Sequence, residues 1–301
     1  MSPRVGIVIL NWKRPDDILA CLASLRRQQY TDYEVVVVDN ASGNGSVARI
    51  RRDFPEVTLL ENGRNLGFAG GSNVGVQHLM TSGADYILLV NDDTEVAPDM
   101  LSRLVAAGER DPQVGIVGPS IFYFEPSNVL WSAGGSIDRY GVARHLHVDE
   151  TPDNTVTDCT EVDYLTGCGM LIKRSVIDTV GPLDERFFAY YEETELCART
   201  RRAGFHIVHV PQARMWHKIG QSERGQSRAY LYLMARNRLL YVKCSGAPIS
   251  TLFLAALDLL RTAASWSLRP RHRHMRPFAT ALARGVLHFF IGQFGAPPAR
   301  P

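Results

Sequence analysis

The chain has 301 residues, 45% of them hydrophobic and 21% charged, a make-up that excludes disordered and collagen-like classes and leaves room for one large α/β domain with an appendage. The net charge of +2 hides a polarity. From residue 226 onward there are eleven Lys and Arg against one acid, Asp258, whereas the first 225 residues carry 22 basic and 30 acidic side chains.

Residues 5–10 (VGIVIL) form a continuous apolar run of strand length. Asn11 and Trp12 follow, and Pro15, Asp16 and Asp17 then open a helical pattern through Arg27. Residues 34–38 (EVVVV) predict a second strand ending in Asp39-Asn40, residues 57–60 (VTLL) a third, and residues 86–90 (YILLV) a fourth ending in Asn91-Asp92-Asp93. Helices are expected between them, near 45–52 and 72–80. Continuous apolar strands alternating with helices indicate a mainly parallel sheet covered on both faces. In such sheets ligands bind at the carboxyl ends of the strands, where Asp39 and Asp93 stand.

Two carboxylates beside a buried strand are costly unless a cation compensates them, and no Lys or Arg occurs between Asp85 and Arg103. A divalent metal, Mg²⁺ or Mn²⁺, would compensate them locally. Alternatively Asp92, Asp93 and Thr94 cap a helix starting near Pro98, or form a solvated turn.

Residues 61–75 (ENGRNLGFAGGSNVG) read as a glycine-rich loop entering a helix, where backbone N–H groups and the helix dipole suit a phosphate. A dinucleotide fingerprint would directly follow the first strand. Asn11-Trp12 occupies that place, which disfavours an oxidoreductase. Glu192, Glu193 and Glu195 open a helix running to Arg202 and ending at Gly204; the macrodipole alone would favour acids there, and Glu195 could pair with Arg199 on the surface.

The five cysteines (Cys21, Cys159, Cys168, Cys197, Cys244) include no C-x-x-C pair and suggest neither a disulfide framework nor a zinc ribbon. With an N-terminal apolar run too short for a signal peptide, the expected place is the cytoplasm. Residues 251–266 contain Asp258 and Arg261 and fall short of a membrane span. With Arg269, Arg271, Arg273 and Arg276, and then residues 285–291 (GVLHFFI), they read as basic amphipathic helices suited to an anionic bilayer surface. The alternative is packing on the catalytic domain or on a second subunit in a homodimer. No nucleic-acid module accompanies the basic residues.

The segments VGIVILNW, EVVVVDNAS, NLGFAGGSNVG, LLVNDDTEV, GPLDERFFAYYEETELCARTRRAGF and MWHKIGQS, in this order, resemble the family 2 glycosyltransferases, most closely the rhamnosyltransferase-like group. The resemblance implies a GT-A fold over residues 1–225 (donor half to about 118, acceptor half beyond), with a helical extension over 226–301. It further implies a nucleotide-diphosphate sugar donor, Mn²⁺ or Mg²⁺, and an inverting transfer, possibly of rhamnose, from UDP or dTDP to a glycan or lipid-linked acceptor. No Gln-x-x-Arg-Trp signature of processive members occurs, so transfer of a single sugar is expected.

Residue by residue, the resemblance places Asp93 and Asn91 at the metal, with His217 completing the shell or meeting the diphosphate. Asp92 stands where the family has proline and joins the donor site. Asp39 matches the acid that binds the pyrimidine, flanked by Leu10, Asn11 and Trp12. Arg64, Asn65, Gly67, Phe68 and Gly71 line the remaining donor pocket, and Lys218 and Ser222 meet the diphosphate. The family's Glu-Asp-x-Asp becomes Glu192-Glu193-Thr194-Glu195, which puts Glu193 at the base position with one extra methylene and leaves Glu192 or Glu195 as substitutes. That exchange also motivates an alternative function, a catalytically silent nucleotide-sugar binder or membrane-associated scaffold. Trp131, Tyr164, Gly167, Cys168 and Trp216 are the candidate acceptor wall, Trp131 being equally readable as core.

Overall fold

The computed structural model describes residues 2–153, 155–219 and 227–298. Ser222 lies outside them. The parallel strands β1 (Val5–Asn11), β2 (Tyr33–Asp39), β3 (Thr58–Glu61) and β4 (Tyr86–Asn91) are followed by β5 (Thr94–Val96), β6 (Val114–Tyr123), β7 (Leu130–Ser132), β8 (Gly135–Ile137), β9 (Ala143–His145), β10 (Thr160–Glu161), β11 (Gly169–Lys173) and β12 (His206–His217). The main sheet runs β10-β12-β6-β11-β4-β1-β2-β3, with β5 on β12 and β7 on β6. β11 is antiparallel to both its neighbours, and β12 is parallel to β6.

The apolar runs are continuous because both faces of the sheet are covered. Ile7, Ile9, Val37, Leu88 and Val90 enter one core, while Val8, Val36, Val38, Ile87 and Leu89 enter the other. The covering helices are α1 (Asp17–Leu25), α2 (Ser46–Asp53), α3 (Gly67–Ser82), α4 (Met100–Gly108), α5 (Arg174–Val180) and α6 (Glu192–Arg202). Register aligns Leu10 with Asn91 and Asn11 with Asp39, so the polar ends of β1, β2 and β4 come level at one rim.

The glycine-rich stretch differs from expectation. Its second half forms the first turns of α3, and the glycines serve close packing. A Cβ at Gly71 would collide with Leu10, and one at Gly75 would meet Val8 at 2.6 Å. Nor do the carboxylates after β4 cap a helix: Thr94 starts β5, and α4 begins only at Met100.

α7 (Arg228–Cys244), α8 (Ile249–Leu268) and α9 (Arg276–Phe290) build a third core, which also takes in Phe187 and Tyr191. The extension thus shares its core with the segment leading into α6. By length and composition α8 is long and apolar enough to cross a membrane, against the shorter span expected. Its buried residues Leu252, Ala255, Ala256 and Leu259 nevertheless belong to that third core.

Candidate active site

Asn11 and Asp39 end neighbouring strands, and both are buried. The Asn11 amide donates to Asp39 Oδ1 at 2.6 Å and to Ser46 Oγ at 2.8 Å, and the Ser42 N–H donates to Asp39 Oδ2 at 3.1 Å. A carboxylate fixed on both oxygens by short bonds is preorganised, and each oxygen keeps a lone pair for a further donor. Leu10 packs over Gly71, while Trp12 is 47% exposed at the rim.

Asn40 ties this rim to α3, accepting from the Leu66 N–H and donating to Asn65 Oδ1 and the Gly67 carbonyl. Asn65 Oδ1 in turn accepts from the Gly67 N–H. The Ala69 N–H donates to the Phe188 carbonyl at 3.1 Å. The N–H groups of Leu66, Gly67 and Ala69, among those the sequence offered to a phosphate, are therefore already engaged by the protein. Arg64 stands exposed beside them.

At the end of β4 the two aspartates have different tasks. Asp92 accepts from the Trp12 N–H at 3.0 Å and braces β1. Asp93, 2% exposed, meets Arg14 at Oδ2 and lies 3.1 Å from His217 Nε2 at Oδ1. The compensating cation missing from the local sequence is thus Arg14, delivered from the loop after β1. Asn91 is half-buried, and its carbonyl accepts from the Thr94 hydroxyl at 2.8 Å. Lys218 instead bonds Glu95 at 3.1 Å and Asp17 at 3.4 Å, so this structure gives its ammonium carboxylate partners.

His217 begins a wall of rings. Trp131 lies 4.9 Å from it edge-on and 4.6 Å from His145, and His145 lies 5.9 Å from Tyr164. Burial, then the nearby His217, pushes His145 down to about 4, so it is neutral at pH 7. Trp131 also lines an open pocket of about 530 Å³ with Tyr123, Glu125 and Asp149. Trp216 is not on this wall. As the neighbour of His217 in a strand it points to the other face, donates its indole N–H to the Ser127 carbonyl at 3.0 Å and stacks on Phe122. Cys168 belongs to the core, its thiol 2.8 Å from the Thr166 hydroxyl.

The wall ends at the glutamates. A Cβ on Gly167 would sit 2.8 Å from Phe68 and 3.9 Å from the Glu193 Cβ, so this glycine lets α3 and α6 close on one another. Burial first, and then the charge of Glu193, push the Tyr164 phenol above its ordinary value. One oxygen each of Glu192 and Glu193 is buried without a hydrogen-bond partner in the described protein. Burial raises Glu193 to about 7; burial and then the adjacent Glu193 raise Glu192 well above the ordinary glutamate value. Glu195 is different in kind. It binds Arg199, whose guanidinium reaches the carbonyls of Val180, Gly181 and Pro182, so Glu195 is structural.

The backbone before the glutamates is strained. Phe188, Tyr190 and Tyr191 all have positive φ (67°, 71° and 73°), at a cost of order 1–3 kcal/mol each. Phe188, with ψ −60° and the Ala189 N–H bonded to the Phe187 carbonyl at 2.8 Å, forms the rare γ-turn with positive φ. Arg14, His145 and the residues that hold this turn escaped the sequence reading.

The family model for glycosyl transferase family 2 matches residues 6–181. The chain belongs to that family. This glycosyltransferase is 29% identical over 263 residues to the N-acetylglucosaminyl-diphospho-decaprenol L-rhamnosyltransferase of Mycobacterium tuberculosis, covering 80% of this chain and 84% of the relative. It is 31% identical over 254 residues to an uncharacterised protein of Sinorhizobium fredii, in which the match spans 80% of this chain but 27% of that longer protein. The mannosyltransferase PcManGT of Pyrobaculum calidifontis, solved with GDP-Man and Mn²⁺, superposes with a TM-score of 0.61 at 17% identity, covering 97% of this chain and 88% of that one. The glycosyltransferase thus has the GT-A fold, and its family match ends before Glu192.

Proposed function

We propose that this glycosyltransferase transfers a single sugar, rhamnose, with inversion from a dTDP- or UDP-activated donor to a glycan or lipid-linked acceptor, with the help of Mn²⁺ or Mg²⁺. One observation carries the reading: a line of contacts runs from Asp93 through His217, Trp131 and His145 to Tyr164, while Glu193 holds a buried carboxylate oxygen without a hydrogen-bond partner. Rhamnose is supported by the named activity of the mycobacterial relative. A divalent metal is supported by the Mn²⁺ in the PcManGT complex.

The residues present fit such an ion. Asp93 Oδ1 and His217 Nε2, both buried, face one another at 3.1 Å, and a carboxylate oxygen with an imidazole nitrogen is a donor set that Mn²⁺ accepts. Among the described residues no three His, Cys, Asp or Glu side chains cluster closely enough to hold an ion alone. Asp93 and His217, with Asn91 beside them, are the residues that would hold it together with the donor. When bound, the ion would draw off charge developing on the leaving diphosphate.

The protein's own work is positioning and proton removal. Asp39, held by Asn11 and Ser42, would accept from the pyrimidine, with Trp12 against the nucleoside. Glu193 would take the acceptor hydroxyl proton as that oxygen attacks the anomeric carbon opposite the diphosphate; the carbon–oxygen bond to phosphate breaks and its electron pair leaves with the diphosphate. Trp131, Tyr164 and the neutral His145 would orient the acceptor without competing for the proton. A lipid-linked acceptor agrees with the outer side of α8, whose apolar residues face outward beside an arginine-rich segment, and we assign this surface to the anionic inner face of the plasma membrane.

Incubation with Mn²⁺, a panel of nucleotide sugars and prenyl-diphosphate sugar acceptors should release nucleoside diphosphate and, from dTDP-rhamnose, give product of inverted anomeric configuration. Tight nucleotide binding without turnover on any donor would instead support the silent binder that the Glu-for-Asp exchange at 193 brings to mind.

A further inference from the structure

We infer that Arg236 and Asn237, on α7 of the C-terminal extension, are positioning residues that hold the backbone carrying the catalytic glutamate in its working bend. The inference rests on the reading of Glu193 as base.

Both side chains are fully buried. The Asn237 amide shares its two N–H groups among the carbonyls of Phe187 at 2.9 Å, Ala189 at 2.8 Å and Tyr190 at 2.7 Å. Arg236 donates to the Phe187 carbonyl at 2.9 Å and the Arg186 carbonyl at 3.3 Å, and its Nε bonds the Asn237 Oδ1 at 2.9 Å, fixing which end of that amide faces the carbonyls. Its remaining nitrogen reaches the Gly295 carbonyl at 2.7 Å. The Arg236 guanidinium has no carboxylate among these partners; its donors go to backbone oxygens and one amide.

These are the carbonyls that a strained turn presents. Residues with positive φ throw successive carbonyls out of any helix or strand ladder, and a buried carbonyl without a partner is costly. The one carbonyl of the turn that α7 does not take, that of Phe188, docks on the Ala69 N–H at the start of α3. Gly67 permits this approach, since a Cβ there would collide with Phe188. The turn is thus clamped between the donor-side helix and the C-terminal extension, and Tyr191 passes directly into Glu192 and Glu193. A bend that is unfavourable on its own persists only where its surroundings over-determine it, and α7 supplies most of that determination.

The test compares Asn237→Asp and Arg236→Lys with the full-length wild type. Asn237→Asp keeps the shape but sets oxygen against three carbonyls; Arg236→Lys keeps the charge and should act more mildly. For variants that remain folded by circular dichroism, we expect kcat to fall about 100-fold for Asn237→Asp and about tenfold for Arg236→Lys, donor KM to stay within about threefold, and amide exchange over residues 187–193 to rise at least about tenfold. If Asn237→Asp does not fold, Arg236→Lys alone decides. Wild-type exchange over 187–193 in a folded variant overturns the inference. So does a loss carried mainly by donor KM. Faster exchange with unchanged kcat overturns the positioning role, whereas unchanged kcat in Glu193→Gln removes the reading of Glu193 as base, which separates the two failures.

Discussion

His217 and Asp93, 124 positions apart in the chain, bring an imidazole nitrogen and a carboxylate oxygen to 3.1 Å in a site where each side chain is 2% exposed. The meeting exists because β5 returns antiparallel on β12, setting His217 opposite Thr94. If the pair holds the ion, Asp93→Asn should lower kcat/KM by about 100-fold or more and remove Mn²⁺ binding in the presence of nucleoside diphosphate. His217→Ala should weaken that binding roughly tenfold. Titration of Mn²⁺ by electron paramagnetic resonance checks both; unchanged affinity in Asp93→Asn refutes the assignment.

The two glutamates should respond unequally. Glu193→Gln removes the proton acceptor and should reduce kcat by about 10²–10⁴. Burial and then the adjacent Glu193 raise Glu192 well above the ordinary glutamate value, and the proposed proton removal does not use it, so Glu192→Gln, which keeps the shape, should leave kcat within about threefold. A larger loss in Glu192→Gln than in Glu193→Gln would exchange their roles.

Activity and stability should slope in opposite directions with pH. Only ionised Glu193 accepts a proton, so kcat should rise with pH through about 7. Its folded value lies above the ordinary 4.5, so the folded state binds this proton more tightly than the unfolded chain does. That stabilisation is complete below 4.5 and is lost as pH rises through about 7. Thermal melts of wild type and Glu193→Gln across this range should converge at acid pH and favour the glutamine variant near pH 8. Parallel curves would show that Glu193 is not burdened by burial.

Much of the donor half was legible because a doubly covered parallel sheet writes its strands as unbroken apolar runs, and each of the four ended at the polar rim. Compensation of the rim charges was not legible. Arg14 answers Asp93 across space, and a search along the sequence near Asp93 cannot meet it. The glycines of α3 misled for a related reason: packing against Leu10 and Val8 needs the same residue as a phosphate loop. Trp216 could have been separated from His217 by strand alternation, had residues 206–217 been read as a strand. Arg236 and Asn237 sat in a basic tail whose charges suggested solvent or lipid, and only the strained turn they serve shows why an arginine and an asparagine are buried side by side.

Arg14→Met should expose the cost of Asp93. The pair is buried on the aspartate side but 28% exposed on the arginine side, so its loss should cost about 1–2 kcal/mol, less than for a fully buried pair. For a chain of 301 residues, with about 2.1 cal/mol/K of unfolding entropy per residue, that lowers Tm by roughly 1.5–3 °C in a chelator. Mn²⁺ with nucleoside diphosphate should close most of the gap by supplying positive charge to the same carboxylate. A gap of equal size with and without Mn²⁺ would mean that Arg14 acts through packing alone.

The outer side of α8 should bind anionic membranes. Ile249, Phe253, Leu257, Leu260 and Leu268 are 67%, 59%, 51%, 44% and 77% exposed, and their spacing of three, four or eight places them on one helical stripe. No acid follows Asp258, while Arg261, Arg269, Arg271, Arg273, Arg276 and Arg284 do. An apolar stripe beside a segment with arginines in excess of acids matches a surface that is anionic outside and apolar beneath, with about 1 kcal/mol from each basic residue close to the lipid. The full-length protein should therefore co-sediment with vesicles containing phosphatidylglycerol, release as salt is raised, and stay in solution with pure phosphatidylcholine. Phe253→Glu combined with Leu257→Glu should abolish binding while leaving turnover on a soluble acceptor analogue unchanged. Lipid-independent dimers in light scattering, dissociated by the same pair of changes, would show that the stripe is covered by a second copy and would overturn the membrane assignment.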